Sequence, residues 1–399
     1  MINIELDDFA KDYILLGLRI NKHIDGYVEH YYGSPKLKKI VDSEELSSPN
    51  NLLNNWNDLK TRLQKQNFEK KRYRFLDSTL TAIKTILRKL NGERIPYLEQ
   101  VKNLFNFEPV LYEDDFFYDL TKKAEELYKG NGKLFERMKR IATQRTIPSN
   151  RLLNLYMKAI QLVKTRTKEL FSELLPDNEK IEISKVENQS WHMYCWYKGN
   201  YTSKIEINTS NYHYWTHLLY NACHEGYPGH HTERAAKEKL LYRKKGYFEC
   251  SILLIYSPEM VISEGIGVTA EDIIFSPTES IRSLIEDIHV VPKNEVSIEN
   301  LIGQSEIRRG FRRFESNLAY HKYVNKWDDN KLIDYTKNFK IIPYTSIRAL
   351  LNFISDKLWA PYAMTYQGER LITEKYGIRP SPKDFRRLLT EQTLPSDLK

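Results

Sequence analysis

The chain has 399 residues, of which 41% are hydrophobic and 29% are charged, and its longest apolar stretches, such as 13–18 and 251–256, are short. A helix that crosses a membrane needs about 20 consecutive apolar residues, so we exclude a transmembrane protein; the apolar content is also too high for a disordered chain. The net charge of +8 comes from residues interspersed along the chain, and this pattern does not indicate a nucleic-acid-binding block.

The first part of the chain predicts an array of helices. Apolar side chains recur at helical spacing over 5–32, and Gly33 and Pro35 mark the expected end of that helix. Further helices are predicted near 51–66, near 69–91, in shorter pieces over 97–129, and in a pair that ends near 174. Loops rich in serine, proline, asparagine or glycine separate these helices.

A different pattern occupies 180–208. Apolar and polar residues roughly alternate over 181–186 and alternate cleanly over 204–208, which predicts strands, and Gly199-Asn200 predicts a hairpin turn. Helix returns after this segment and continues to the end of the chain. Breaks are expected near four prolines: Pro258, Pro277, Pro292 and Pro343.

We therefore predict a mainly α fold, a large helical array with a deep cleft and one small antiparallel β-sheet beside the candidate site. One domain is expected to cover 1–399, with a helical N-terminal part of about 1–175 and a site-bearing part of about 176–399. The three cysteines form no CxxC pair, and the first eight residues carry acidic side chains instead of the basic start of a secretory signal. Both features favour a cytoplasmic protein.

Histidines are concentrated in one part of the chain. Six of the ten fall within forty residues: His192, His213, His217, His224, His230 and His231. Within this group, the segment 224–231 contains a His-Glu pair, a Pro-Gly pair and a His-His pair in succession. Two histidines and a glutamate at short helical spacing are typical of zinc hydrolases, in which the histidines bind the metal and the glutamate activates water. We interpret the first three histidines as ordinary hydrogen-bonded side chains.

The spacing of this segment requires a break in the helix. On an unbroken helix His230 would lie about 240° round from His224, and His231 would lie about 10 Å farther along the axis, so neither could share one metal ion with it. The ring of Pro228 clashes with the carbonyl group four residues earlier, which belongs to His224. We therefore expect the helix to break at Pro228, so that His230 turns back towards His224.

A third metal ligand and a base complete the hypothesis. Catalytic zinc usually has three protein ligands, and Glu264 lies in a helical region forty residues after His224. Glu271 is seven residues farther on, close to the same helix face, from which it could hydrogen-bond a ligand. Glu225 is the expected general base, which takes a proton from water. We interpret Cys223 as a small buried hydrophobic residue rather than a ligand.

The segment 224–231, His-Glu-Gly-Tyr-Pro-Gly-His-His, resembles the HE-x-x-P-G-H-H signature of a zinc-peptidase-like family long catalogued as a domain of unknown function. That family resembles the gluzincin superfamily, which includes carboxypeptidase Taq and angiotensin-converting enzyme. Its Ser-Glu-Gly-Trp-Ala-x-x-x-Glu pattern is similar to 263–271, although Ile266 and Gly267 stand where many members have Trp and Ala. Three more segments resemble family segments: 25–35, 317–321 and 360–368. The resemblance therefore covers most of the chain.

The resemblance implies one zinc ion per chain, bound by His224, His230 and Glu264. Glu225 would act as the base. His230 is preferred to His231 as the ligand because the Pro-Gly-His portion defines the motif. His231 and Glu271 are expected to support the ligands from behind through hydrogen bonds.

The resemblance also implies roles for residues outside the metal motif. Tyr366 and His321 would stabilise the oxyanion, as Tyr and His donors do in other gluzincins. The strand 203–208 would lie beside the cleft as the edge that pairs with an extended peptide substrate. Spacing alone, and not the resemblance, suggests that Arg370, about one helical turn beyond Tyr366, could meet a substrate carboxylate, and a solvated surface arginine is the more common case.

Zinc-dependent hydrolysis of a peptide or a small amide is the function that the resemblance implies, carboxypeptidase-like or directed at short peptides. Two alternatives keep the metal site: a zinc hydrolase of a non-peptide amide or ester, and a catalytically silent zinc-binding helical protein. A third is nucleic-acid binding by the four arginines of 308–313, although the glutamates on both sides favour a salt-bridged helix face. No membrane partner is expected.

Overall fold

Helices dominate the computed structural model, which describes residues 7–189, 191–290, 297–340, 344–356 and 359–399. The mainly α fold class is therefore confirmed. The α-helices are α1 (Asp8–Asn21), α2 (Pro35–Ser43), α3 (Pro49–Lys65), α4 (Lys70–Leu90), α5 (Tyr97–Phe105), α6 (Asp114–Leu127), α7 (Leu134–Gln144), α8 (Ser149–Phe171), α9 (Leu218–Glu225), α10 (His230–Lys237), α11 (Pro258–Ile274), α12 (Pro277–Glu286), α13 (Ile298–Arg312), α14 (Phe314–Tyr323), α15 (Asp329–Lys337), α16 (Tyr344–Ser355), α17 (Trp359–Tyr362), α18 (Gly368–Tyr376) and α19 (Pro382–Thr390).

The strands are short and few in comparison. They are β1 (Val28–Tyr31), β2 (Lys180–Val186), β3 (Met193–Gly199), β4 (Thr202–Asn208) and β5 (Ile252–Leu254). The breaks predicted at Pro258 and Pro277 are present, because each proline is the first residue of a helix, where its fixed φ suits the first turn. The breaks predicted at Pro292 and Pro343 lie outside the described residues.

The first predicted helix is divided into a helix and a strand. The side chain of Asp7 caps α1 by accepting a hydrogen bond from the Ala10 amide at 2.6 Å. The helix ends at Asn21, whose side chain accepts a hydrogen bond from the first amide of β1 at 2.8 Å, and Gly26 has a φ of 78° in the intervening turn. β1 then pairs antiparallel with β5 from the second half of the chain. The single helix predicted over 5–32 is wrong because pairing with a distant strand leaves no trace in local periodicity.

Two small sheets occur in place of the single antiparallel sheet that was predicted. β1 and β5 form one, and the other has the order β2-β4-β3, with β2 parallel and β3 antiparallel to β4. The hairpin predicted at Gly199-Asn200 joins β3 to β4, and both residues have a left-handed φ. Because β4 is the central strand, both of its edges are already hydrogen-bonded. The segment 203–208 therefore cannot be the free edge that was predicted for a substrate.

Helix α11 lies at the centre of the molecule. Every residue from Met260 to Ala270 is buried, and the helix packs against α9 and α18 as well as α8, α10 and α19. One connected cluster of buried apolar side chains includes Phe9 in α1 and Leu398 near the C-terminus, so both predicted parts of the chain contribute to it. Within the described ranges, no helix combines the length and the apolar character needed to cross a membrane.

Candidate metal centre

The predicted helix break separates α9 from α10. α9 ends at Glu225 and α10 begins at His230, with Pro228 in the connection. The amide of Gly229 donates a hydrogen bond to a carbonyl group of α9 at 2.9 Å, and a Cβ atom on Gly229 would lie only 2.1 Å from the carbonyl oxygen of His224. Only glycine allows the connection to approach the end of α9 this closely. The break expected at Pro228 is confirmed.

This break brings the three predicted ligands together. The rings of His224 and His230 meet edge to face, with centroids 4.7 Å apart and planes at 84°. A carboxylate oxygen of Glu264, from the middle of α11, lies 3.6 Å from Nε2 of His224, and the other lies 3.9 Å from Nε2 of His230. One donor atom from each residue lies within 4.8 Å of the other two.

The three donors have the chemistry that suits zinc. Two imidazole nitrogens and a carboxylate oxygen are typical ligands of this ion, and both separations from the carboxylate are below roughly 4.2 Å, twice a Zn–N bond of about 2.1 Å. Burial holds the pKa of His224 well below its usual value, so its ring is neutral, as a metal ligand must be. These residues therefore fit a single metal ion.

A hydroxyl group fixes the ring of His230. Nδ1 of His230 lies 3.1 Å from Oγ of Ser263, which also accepts a hydrogen bond from Arg234 at 2.7 Å and donates one to the carboxylate of Glu233 at 2.6 Å. Because the single hydroxyl proton of Ser263 goes to Glu233, the imidazole must donate from Nδ1. The lone pair of His230 is then on Nε2, which faces Glu264.

The ring of His224 is supported by Tyr220, whose hydroxyl group lies 3.2 Å from Nδ1. A Cβ atom on Gly267 would lie 2.7 Å from Cε1 of the imidazole. The position at which this chain departs from the Ala of the family pattern therefore lies directly against a predicted ligand.

Two tyrosines stand beside Glu264. The hydroxyl group of Tyr362 donates a hydrogen bond to Oε1 of Glu264 at 2.5 Å. Tyr366, the predicted oxyanion donor, lines the same cavity, with its ring centroid 5.9 Å from that of Tyr362. The structure thus places Tyr366 at the site, and its predicted role stays a prediction.

Glu225, the predicted base, also faces this cavity and is half-buried. Burial raises its pKa to about 8, and the neighbouring carboxylates of Glu264 and Glu29 act in the same direction. A cation held by the three ligands would act in the opposite direction and favour the carboxylate form.

The cavity has a volume of about 750 Å³, which falls within the range of sites for small ligands. It corresponds to the deep cleft that was predicted. β3 contributes Met193, Tyr194 and Cys195 to its wall, and the Tyr194 hydroxyl donates to a carboxylate oxygen of Glu29 at 3.3 Å.

The two residues predicted to support the ligands from behind have other partners. His231 is fully buried, and its ring nitrogens lie 2.8 Å from Oγ of Ser203 and 3.1 Å from a carboxylate oxygen of Glu179, so it joins α10 to the sheet. Glu271 accepts a hydrogen bond from Ser280 at 2.5 Å and so joins α11 to α12. Seven residues return to the same helix face but move about 10 Å along the axis, which places Glu271 beyond the site.

Two further predicted residues do not line the cavity. The ring of His321 stacks on Trp327, with centroids 3.9 Å apart and planes at 2°. Arg370 pairs with Glu374 one turn along α18, with Nη1 2.8 Å from a carboxylate oxygen. The roles predicted for His321 and Arg370 do not fit these positions, because neither segment similarity nor spacing along a helix shows which neighbour a side chain meets.

Sequence reasoning missed several polar residues of the cavity, among them Glu29, Arg312, Glu315 and Tyr362. Glu29 and Tyr362 lie in segments that resemble the family, so a signal was present for both. Arg312 and Glu315 belong to the arginine cluster and its flank, which the sequence indicated as a salt-bridged surface.

No family model and no curated protein matches the sequence. Among solved structures, the chain is similar to a putative lipoprotein from Colwellia psychrerythraea, with a TM-score of 0.50 and 13% identity over 91% of this chain and 68% of that one. A structure named BsuCP aligns over 98% of this chain and 97% of its own, with a TM-score of 0.39 and 11% identity. The first similarity concerns the fold alone, and the second is too distant to inform it.

Proposed function

We propose that this protein is a zinc-dependent hydrolase whose substrates are peptides. One observation carries the proposal: donor atoms of His224, His230 and Glu264 meet within 4.8 Å on the wall of a cavity of about 750 Å³. Each imidazole has a hydrogen-bond partner at Nδ1, and this leaves Nε2 facing the carboxylate. Three protein ligands beside open space are typical of catalytic rather than structural zinc.

Different residues of the site have separate roles in the proposed reaction. Zinc bound to the three ligands would polarise the scissile carbonyl group and lower the pKa of water to near 7. Glu225 accepts a proton from the attacking water at its carboxylate and later donates it to the leaving nitrogen. Tyr366 donates a hydrogen bond to the developing oxyanion. Tyr362 keeps Glu264 in place through the hydrogen bond at 2.5 Å.

Strand β3 favours a peptide over a non-peptide amide or ester. It is an edge strand of its sheet, and three of its residues line the cavity. The unpaired backbone groups of an edge strand can bind an extended peptide as an additional strand. We therefore assign to β3 the substrate contact that the sequence suggested for 203–208.

A peptide-library digestion with zinc-loaded protein tests the proposal. We expect about one zinc per chain and hydrolysis that Glu225→Gln abolishes without loss of zinc, because the amide cannot accept the proton. Glu206→Gln is the matched control, since Glu206 is half-buried in β4, bonded to Trp196, and outside the cavity. Hydrolysis of esters alone would favour the non-peptide alternative. A chain that binds zinc and cleaves nothing would support the silent zinc-binding protein.

The proposed location is the cytoplasm. Cys195, Cys223 and Cys250 are all free thiols, which is the usual state in a reducing compartment.

A further inference from the structure

The four arginines of α13 and its C-terminal end have two kinds of surroundings. Arg309 pairs with Asp272, and Arg313 lies 3.9 Å from a carboxylate oxygen of Glu369. Arg308 and Arg312, one turn apart, instead face the ring of Tyr220, with their guanidinium carbons 5.0 Å and 4.6 Å from its centroid. Two of the four arginines therefore match the salt-bridged surface that the sequence indicated, and the other two do not.

Arg312 is a charge with unused hydrogen-bonding capacity. Its guanidinium group donates to the hydroxyl of Tyr220, and among the described residues no carboxylate lies within 4.0 Å of it. The side chain is half-buried and lines the same cavity as His224 and Glu264. A guanidinium group offers five N–H donors in a planar fork that matches a carboxylate, and one removed from water is usually paired.

The neighbouring charges act on Arg312 without forming an ion pair with it. Glu369 attracts Arg312, but its carboxylate lies beside Arg313. Arg308 is positive too, and burial followed by repulsion from Arg312 lowers its pKa to about 10. Glu315 lines the cavity one turn later, but burial raises its pKa to about 7 despite the attraction of Arg312. Arg234, the other arginine of the cavity, already has Glu233 and Glu259 within 3.5 Å. Of the two arginines that line the cavity, Arg312 is therefore the one without an ion-pair partner among the described residues.

We propose that Arg312 binds a free carboxylate of the substrate, which makes the hydrolase specific for peptide bonds next to a C-terminal residue. This inference rests on the proposed function and narrows its substrate class. In the reaction, water adds OH to the carbonyl carbon and H to the amide nitrogen as the C–N bond breaks. The released amino acid keeps its carboxylate on Arg312.

The inference is tested by comparing a peptide acid with its amide. We use N-acetyl-Ala-Phe and N-acetyl-Ala-Phe-amide, and we expect KM to be at least tenfold lower for the acid. Arg312→Gln should remove that difference by raising KM for the acid alone, and Arg312→Lys should keep part of it because the charge remains. A fall in kcat for both substrates would instead make Arg312 an oxyanion donor and overturn the inference.

A binding measurement separates this inference from the proposed function. On zinc-loaded Glu225→Gln, calorimetry should show tighter binding of the acid than of the amide, and addition of Arg312→Gln should abolish the preference. Arg309→Gln is the matched control, because Arg309 pairs with Asp272 outside the cavity. Equal binding of acid and amide would refute the carboxylate subsite even if hydrolysis occurs. An Arg312-dependent preference without any hydrolysis by the unmodified protein would support the subsite and refute the peptidase.

Discussion

At the scale of single residues, the space beside His224 is set by the absence of a side chain at Gly267. A Cβ atom there would lie 2.7 Å from the imidazole, so Gly267→Ala should displace the ring. We expect zinc affinity to fall about 10–100-fold, measured by competition with a chelator, with little change in the melting temperature.

Gly303→Ala is the matched control for this substitution. Its Cβ would meet a methyl group of Leu127 at 2.6 Å, the far end of a flexible side chain outside the cavity. Equal zinc affinity in both variants would show that the imidazole of His224 does not depend on the space at position 267.

The approach of the two histidine ligands could be predicted from sequence because its geometry is local, whereas Glu264, forty residues after His224, was assigned from its helical region and from the resemblance. A proline four residues after His224 had to break the helix, and this single constraint brought His230 back to it. His321 and Arg370 were assigned from segment similarity and spacing alone, and both have other partners in the structure. Side-chain direction in a helix depends on tertiary packing, which no local pattern contains.

At the scale of secondary-structure elements, Glu179 joins the helices around the site to the sheet. It lies 3.1 Å from Nε2 of His231 in α10 and 2.5 Å from the ammonium group of Lys164 in α8, and it accepts a hydrogen bond from the Tyr227 hydroxyl. Burial alone would raise the pKa of Glu179, but these hydrogen bonds outweigh it and hold the pKa at about 2.

The lowered pKa of Glu179 predicts a pH-dependent stability. The unfolded chain, with a glutamate pKa of about 4.3, binds more protons than the folded one as the pH falls, so this stabilisation is present above about pH 4.5 and is lost towards pH 2. Glu179→Gln should therefore lower the free energy of unfolding by about 2 kcal/mol at pH 7 and by about 1 kcal/mol less at pH 3.5. Urea unfolding at both pH values measures this, with exposed Glu187→Gln as the control. The same loss at both pH values would contradict it.

The helices were more predictable than the strand pairing. α3 and α4 begin and end close to the predicted positions because each has its own periodic apolar face and end signals. The pairing of β1 with β5 and the parallel contact of β2 with β4 join segments that lie apart in sequence. Such pairings depend on the folded chain as a whole, so the predicted sheet had the right place but the wrong order.

At the scale of the whole molecule, the candidate site joins distant parts of the chain. Its ligands come from α9, α10 and α11, while β1, β3 and the helices near the C-terminus enclose the cavity. A metal ion bound at this point would therefore link these helices and stabilise the folded protein as a whole.

Metal removal should lower the melting temperature of the protein. Free zinc at 100 times its dissociation constant stabilises a folded protein by about 2.7 kcal/mol. We expect a chelator to lower the melting temperature by a few degrees and zinc to restore it, because a chain of this length shifts by only about two degrees per kcal/mol. His224→Ala should show no response to either reagent. A zinc-dependent shift that survives this substitution would place the ion elsewhere.

The position of the metal is the most direct test of the account. Crystals of the zinc-loaded protein, measured at the zinc absorption edge, should show one anomalous peak per chain between Nε2 of His224, Nε2 of His230 and the carboxylate of Glu264. The carboxylate of Glu225 should face the same peak across the cavity. A peak at other side chains, or none at all from zinc-saturated crystals, would contradict the account.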